Sequence, residues 1–393
     1  MSVVHSGRRD FAIINRSFWP IYPVIGEALL RLAEDLSVDQ RVSVIMQDHS
    51  NIRSNLRAEK RGEEVEFFPG KAWSHSGSGI LVRALDAIYF MLWVVYCLLR
   101  SRPKLVYVST DPPVLVPFVV MIYATLFKAK FVYHLQDIHP EAANVVMKVN
   151  PVLFRLLKWM DCLSMRRANS IITITDEMAA KIKERSGTGS PIHVVSNPAV
   201  SFDKVSQPLE KKRGFSFCGN AGRLQRIPLV IEAITRYLDA GGKMCFAFAG
   251  GGVHSSAIAA LADKYDSVDY LGRVTPAAAA QLNCEYEWAL LPIEDEVTRY
   301  AFPSKSSSYI FSGAAVLAVC GAETSVAEWT RKNEVGVVSE PDVESLAQIF
   351  SKIERGEIDL KDYIYDRKAI KAELNFDYFI HRLKAIIPSQ VNS

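Results

Sequence analysis

Short apolar runs alternate with longer stretches in which apolar positions recur every three or four residues, and the alternation holds along the whole chain. Such a pattern predicts βα units, with parallel strands covered by helices on both faces. In the first half the predicted strands are Phe11–Asn15, Arg41–Met46, Leu105–Ser109, Lys130–His134 and Ser170–Thr175. Between them lie helical patterns such as Glu27–Leu36 and Pro151–Arg167. His193–Val195 reads as one more strand, and the Ser196-Asn197-Pro198 turn signal after it marks a domain boundary. The pattern then restarts. Gly214–Cys218, Met244–Ala249, Val268–Leu271, Ala289–Pro292, Ala315–Val319 and Gly336–Val338 read as strands, with Pro228–Leu238 as a helix. The expectation is two doubly wound α/β domains, over 1–198 and 199–376, with a helix over Asp377–Ile387 in the 377–393 segment that could pack back across the junction. No fixed short period repeats, which argues against a solenoid or propeller.

Composition narrows the class. The chain has 393 residues, 49% of them hydrophobic and 23% charged, enough for two or three globular domains and unlike a disordered chain. A net charge of +3 argues against a general nucleic-acid binder, so any basic surface must be local. The six cysteines show no CxxC or Cys/His spacing, which argues against a metal knuckle and for buried thiols. The N-terminal stretch lacks the apolar core of a secretory signal, and a reducing, cytoplasmic setting is expected. Two segments approach membrane character, Leu85–Leu99 with Asp86 inside it and Val114–Phe127 with Pro117 inside it. Both fall short of the ~20 apolar residues that span a bilayer. They read as buried helices on a parallel sheet or, because Arg83, Arg100, Arg102, Lys104, Lys128 and Lys130 bracket them, as a contact with an anionic membrane surface.

Three motifs carry candidate chemistry. In Phe217-Cys218-Gly219-Asn220-Ala221-Gly222-Arg223 two glycines sit between a predicted strand and helix, where bare backbone can approach a phosphate, or where an ordinary tight turn is made. Arg223 and Arg226 beside it could bind a diphosphate bidentately. In Phe302-Pro303-Ser304-Lys305 a helix start combines a fixed first turn with a cation, suited to a phosphate or simply to capping. In His134-Leu135-Gln136-Asp137-Ile138-His139-Pro140-Glu141, polar groups follow an apolar strand, where parallel sheets bind ligands. Asp137, His139 and Glu141 are candidates for proton transfer or for capping the next helix. No Asp-x-Asp occurs in the second half, no metal is demanded, and Glu294-Asp295-Glu296 reads as a solvated acidic turn.

Together these segments resemble the retaining GT-B sugar transferases of glycosyltransferase family 4, of the bacterial O-antigen, capsule and colanic type. The likeness rests on Pro23-Val24-Ile25-Gly26, Gln136-Asp137, the run Gly219 to Gln225, Phe248-Ala249-Gly250-Gly251-Gly252, Leu271-Gly272-Arg273-Val274, and Pro303-Ser304-Lys305 with Gly313 downstream. It implies two Rossmann-like domains facing a central cleft, a nucleotide diphosphate sugar as donor, a lipid-linked saccharide as acceptor, and no required cofactor. It implies that Arg223 and Lys305 neutralise the leaving diphosphate beside Gly219, Asn220, Gly222, Gln225 and Ser304. Gly272, Arg273 and Val274 would lie against the base, Gly26 near the phosphates from the other domain, and Asp137 toward the reacting sugar. Ser308 and Tyr300 stand where the family often has two glutamates, and Gln136 where it often has a histidine. An epimerase of the same fold and an inactive binding partner are the alternative readings.

Overall fold

The computed structural model describes residues 9–74, 79–202, 205–206, 208–364 and 367–387. The chain divides into two units: the first runs to Asn197 and resumes at Phe376, and the second spans Pro198–Asn375. Each is a parallel sheet flanked by helices. The first contains β1 (Phe11–Ile14), α1 (Ile25–Ser37), β2 (Val42–Asp48), α2 (Ile52–Glu59), β3 (Glu66–Lys71), α3 (Ile80–Ser101) and β4 (Leu105–Ser109). It continues with α4 (Leu115–Phe127), β5 (Lys130–His134), α5 (Glu141–Val146), α6 (Pro151–Arg167), β6 (Ser170–Thr173), α7 (Asp176–Ser186) and β7 (Ile192–Val194). The second contains β8 (Lys212–Cys218), α8 (Ile227–Asp239), β9 (Cys245–Ala249), α9 (Ser255–Lys264), β10 (Val268–Tyr270), α10 (Pro276–Glu285) and β11 (Tyr286–Pro292). After these come α11 (Asp295–Thr298), α12 (Lys305–Ser312), β12 (Ala315–Val319), α13 (Ser325–Lys332), β13 (Gly336–Ser339), α14 (Val343–Glu354), α15 (Lys361–Ile364) and α16 (Lys368–Glu373). Helix α17 (Phe376–Ile386) belongs to the first unit and packs on α1.

The sheet orders are β3-β2-β1-β4-β5-β6-β7 and β10-β9-β8-β11-β12-β13, with every strand pair parallel. Both are the doubly wound arrangement, and the order reverses between β1 and β4 in one sheet and between β8 and β11 in the other. Open α/β sheets bind ligands at that reversal, beyond the carboxyl ends of the strands. Central strands such as Leu105–Ser109 and Ala315–Val319 are buried along their whole length, which is why they read as unbroken apolar runs. The second core centres on stacked aromatics, with the Phe215 and Phe246 rings 5.2 Å apart and Phe350 5.2 Å from Phe246.

Two features depart from the sequence reading. Strand β3, at the sheet edge, was not anticipated; Pro69 and Gly70 inside it mask the strand pattern, and an edge position tolerates both. Helix α3 extends beyond Leu85–Leu99, and Leu81–Ser101 is long and apolar enough to cross a membrane by length and composition. Nor is it simply buried: Leu85, Ile88, Leu92 and Tyr96 are exposed. Asp86, which seemed to interrupt the stretch, is what ties the helix down. Its carboxylate accepts from Gln47 Nε2 at 2.8 Å, Ser74 Oγ at 2.6 Å and the Trp73 amide at 3.2 Å.

Candidate functional site

In the second unit the site is built where β8 ends beside β11. Gly219 follows β8 with φ +138°, a conformation L side chains rarely adopt, and its N–H donates to Ala249 O at 2.9 Å. The neighbouring turn comes equally close. Gly250 has φ +128°, and a Cβ there would lie 1.8 Å from Gly219 O. Glycine at both positions lets two backbone loops pack directly on each other, with the Ala221 amide bonded to Gly251 O at 2.8 Å.

Three of the amides in this turn are engaged within the protein. The Gly219 amide is bonded to the end of β9 and the Ala221 amide to the loop after it, and the Gly222 amide donates to Gln225 Oε1 at 3.1 Å. Of these three, only the Gly222 amide has a side-chain partner, the one that can swing away for a ligand. Arg226 is also diverted. Its guanidinium pairs with Glu294 at 3.1 Å and Asp295 at 2.9 Å, and its Nε donates to Ile293 O. The acidic turn is thus a latch holding the β8 and β11 loops together, and Asp295 also accepts from the Gly321 amide at 2.8 Å. Arg223 is exposed and makes no ion pair among the described residues, so it is the uncommitted cation of the turn.

Lys305 is the fixed one. It is the first residue of α12, whose N-cap Ser304 is exposed and makes no side-chain capping bond. Its Nζ is buried without a hydrogen-bond partner, 3.9 Å from the centroid of the Phe217 ring, and 3.3 Å from where a Cβ on Gly219 would sit. Burial pushes the ammonium down to about 8 from its usual 10.5. A buried cation with no hydrogen-bond or ion-pair partner among the described residues, at the sheet reversal, is an arrangement that an anion would complete. Ser308 is buried in the same helix. Gly272 (φ +63°) ends the β10 turn, and exposed Arg273 lies along the neighbouring loop, its Nε 2.8 Å from where a Cβ on Gly251 would sit. Val274 is half-buried and packs against the cluster around Cys218, Ala249 and Leu282, so its side chain serves the core.

In the first unit, the ends of β1, β4 and β5 meet at the other reversal. Asp111 accepts from Arg16 Nε at 3.1 Å and the Ser17 amide at 2.8 Å, and Asn15 bonds to both Ser17 and Ser109. Thr110 Oγ1 accepts from the Gln136 amide at 3.1 Å. Asp137 stands beside them. Burial, reinforced by the negative charge of Asp111, pushes its carboxyl up to about 6. Gln136 is clamped at both ends: its Nε2 contacts His134 Nε2 at 2.8 Å, and its Oε1 accepts from Asn197 Nδ2 at 2.6 Å. His134 is buried against the Tyr107 hydroxyl, and burial pushes its imidazole down to about 3, so the ring is neutral.

Of the other two proton-transfer candidates, Glu141 is occupied structurally, paired with Arg185 at 3.1 Å and Lys158 at 3.3 Å. Burial and the Arg185 charge push His139 down to about 4. Gly26 lies buried in the first turn of α1, where a Cβ would come 2.6 Å from Trp19 N; close chain packing by itself accounts for glycine there. Asn15, Arg16, Thr110 and Asp111 were not anticipated as site residues. The available signal was the one that marked Gln136-Asp137, polar residues directly after an apolar strand.

Comparison with known proteins bears on this geometry. No family model matches the chain. It is 29% identical over 266 residues to the Pseudomonas aeruginosa protein described as probable glycosyltransferase WbjE. That match covers 63% of this chain and 66% of the relative, just under two thirds of the relative's length. Among solved structures, Anabaena HepE in complex with UDP aligns with a TM-score of 0.63 at 14% identity, covering 96% of this chain and 98% of that one. WaaG, described as a glycosyltransferase involved in lipopolysaccharide biosynthesis, aligns with a TM-score of 0.65 at 13% identity over 96% of this chain and 100% of that one. The fold is the GT-B fold of glycosyltransferases. Function, in contrast, resides in sites, and the same fold hosts several.

Proposed function

We propose that this protein is a retaining glycosyltransferase that moves a sugar from a nucleotide diphosphate sugar to a lipid-linked saccharide in bacterial surface polysaccharide biosynthesis, of the O-antigen or capsule kind. It would work at the cytoplasmic face of the membrane, on an anionic lipid surface. The observation that carries the reading is the buried, unpartnered Lys305 ammonium against Gly219 at the reversal of the second sheet. The GT-B fold and the likeness to WbjE support it.

In the reaction the bond from the anomeric carbon to the diphosphate breaks, and a bond to the acceptor oxygen forms on the same face. The acceptor proton leaves with a phosphate oxygen. Negative charge grows on the diphosphate as it departs, and Lys305, preorganised and desolvated, is placed to stabilise it. Arg223 closes over the diphosphate from the turn. Release of Gln225 from the Gly222 amide frees one more donor. Ser304, Asn220 and Gly219 border the same space, Ser308 would take the ribose, and Gly272 and Arg273 the base. From the first unit, Asp137 would hold a sugar hydroxyl and Gly26 would sit near the phosphates.

A panel of nucleotide sugars with a lipid-linked acceptor extract, assayed for nucleoside diphosphate release, tests the proposal. One donor should be turned over, and that donor should raise the melting temperature; a ligand at ~100 times its Kd adds about 2.7 kcal/mol. A panel in which no donor stabilises the protein and none is consumed would refute it. Deuterium from solvent appearing in recovered donor would indicate epimerisation instead.

A further inference from the structure

Near the end of α7, Arg185 carries a buried guanidinium whose partners lie on α5, α6 and the connection 135–140 between β5 and α5. Its Nη2 donates to Asp161 Oδ2 of α6 at 2.7 Å and to His139 O at 2.9 Å, and its Nη1 pairs with Glu141 of α5 at 3.1 Å. Asp161 in turn accepts from the Tyr133 hydroxyl of β5 at 2.6 Å. The Arg185 and Asp161 side chains are 3% and 1% exposed. Charges buried this deeply are rarely the most stabilising way to fill a core, because well-packed apolar side chains of similar volume often do as well or better. A role beyond stability is therefore expected of them.

One of the four partners is a main-chain atom of the segment that carries Asp137. On its upstream side the connection 135–140 is tied down by the Leu135 amide, which donates to Ile172 O at 2.8 Å. The Gln136 and Asp137 amides add bonds to Thr110 Oγ1, directly after β4, at 3.1 and 3.4 Å. Downstream, the side-chain anchor is Arg185 on His139 O, and Glu141, the first residue of α5, is held by the same guanidinium. Asp137 thus lies between two anchors, Thr110 and Arg185. A guanidinium serves Asp161, Glu141 and the carbonyl together because its N–H groups diverge in one plane, whereas the point charge of an ammonium does not reproduce that fork. The bond from Tyr133 fixes Asp161, and Asp161 fixes the fork.

We infer that Arg185 is a positioning residue for Asp137: through the His139 carbonyl it fixes the backbone that aims the Asp137 carboxylate at the sugar, with Tyr133 and Asp161 setting the orientation of the guanidinium. The inference rests on the role given to Asp137 in the proposed function and adds what holds that residue in place. Arg185 itself meets no substrate. A misplacement of about 1 Å at a reacting centre can lower a rate by about 10²-fold. Loosening this anchor should therefore slow turnover without weakening donor binding, because the groups assigned to the diphosphate and the base belong mainly to the second unit.

The test is a double-mutant cycle on turnover of the donor found in the nucleotide-sugar panel, with the lipid-linked acceptor extract saturating. Arg185→Lys is made in the wild type and in Asp137→Asn, and each full-length protein is assayed well below its own melting temperature. In the wild-type background Arg185→Lys should lower kcat at least about tenfold and leave donor KM within about twofold. In the Asp137→Asn background the same change should lower kcat less than about threefold, because the group it positions is already gone. Tyr133→Phe keeps the ring and removes only the hydroxyl; it should show the same pattern at about threefold, and it carries the test if the lysine variant does not fold. Equal losses in both backgrounds would mark a purely structural role and overturn the inference, as would wild-type kcat in the folded variants. Asp137→Asn with wild-type turnover would remove the role of Asp137 and the inference together while transferase activity stands. A wild type that consumes no donor would refute the proposed function itself, and the inference with it.

Discussion

Replacing Lys305 with methionine should make the free protein more stable. The ammonium is buried over the Phe217 ring with no hydrogen-bond partner, and burial lowers its pKa from 10.5 to about 8. At about 1.4 kcal/mol per tenfold change in the proton equilibrium, keeping that amine charged in the folded state costs about 3 kcal/mol. The ring contact returns up to about 2 kcal/mol of this. Methionine fills similar volume and keeps a favourable contact with the ring, so the net gain should be about 1–2 kcal/mol, or about 2–8 °C for a unit of this size. The sign with pH follows from the depressed value. Below pH about 8 the amine is charged in both folded and unfolded chains, and the full cost is present. Between about 8 and 10.5 the folded chain sheds its proton first and the cost fades, so wild type and variant should converge as pH rises. Scanning calorimetry of both proteins at pH 7 and near pH 10 reads this directly. A methionine variant melting at or below wild type at pH 7 would refute the view of Lys305 as an uncompensated charge kept for a ligand.

Binding of a nucleoside diphosphate should draw a proton onto Lys305, so affinity should fall by about tenfold from pH 7 to pH 9; calorimetry at pH 8 in buffers of different ionisation heat would register the uptake. Asp137→Asn should cut turnover by at least about tenfold with donor binding intact, and wild-type turnover should fall as pH drops through about 6, where the carboxylate takes up its proton. Arg226→Ala should destabilise the protein by about 1–2 kcal/mol by unlatching Glu294 and Asp295, as denaturant melts would show. Arg185→Met should cost about 3–5 kcal/mol, since it leaves Asp161 buried without its cation and Glu141 with Lys158 alone.

The fold was legible wherever burial on both faces forces an unbroken apolar run, as at Leu105–Ser109 and Ala315–Val319. It was illegible at the edge, where β3 admits Pro69 and Gly70 without losing a ladder partner on its open side. Helix α3 misled for a related reason. Asp86 reads as an interruption in one dimension, yet in three it is the anchor to Gln47 and Ser74. Within the site, Lys305 and Gly219 were each visible as a helix start and a glycine turn. That they meet is a product of β8 lying beside β11, and the 85 residues between them carry no local sign of it. Arg226 and Arg223 looked equivalent by spacing, and only the position of Glu294 and Asp295 distinguishes a structural latch from an exposed cation. The Gly222 amide looked free because a glycine turn does not reveal that Gln225, three residues on, folds back to occupy it.

The most direct test of the central claim, that Lys305 and the Gly219 turn seat a diphosphate, is calorimetric titration of wild type and Lys305→Met with nucleoside mono- and diphosphates. The wild type should prefer the diphosphate, and the substitution should weaken diphosphate binding at least about tenfold while changing monophosphate binding much less. Equal diphosphate affinity in the two proteins would contradict the account.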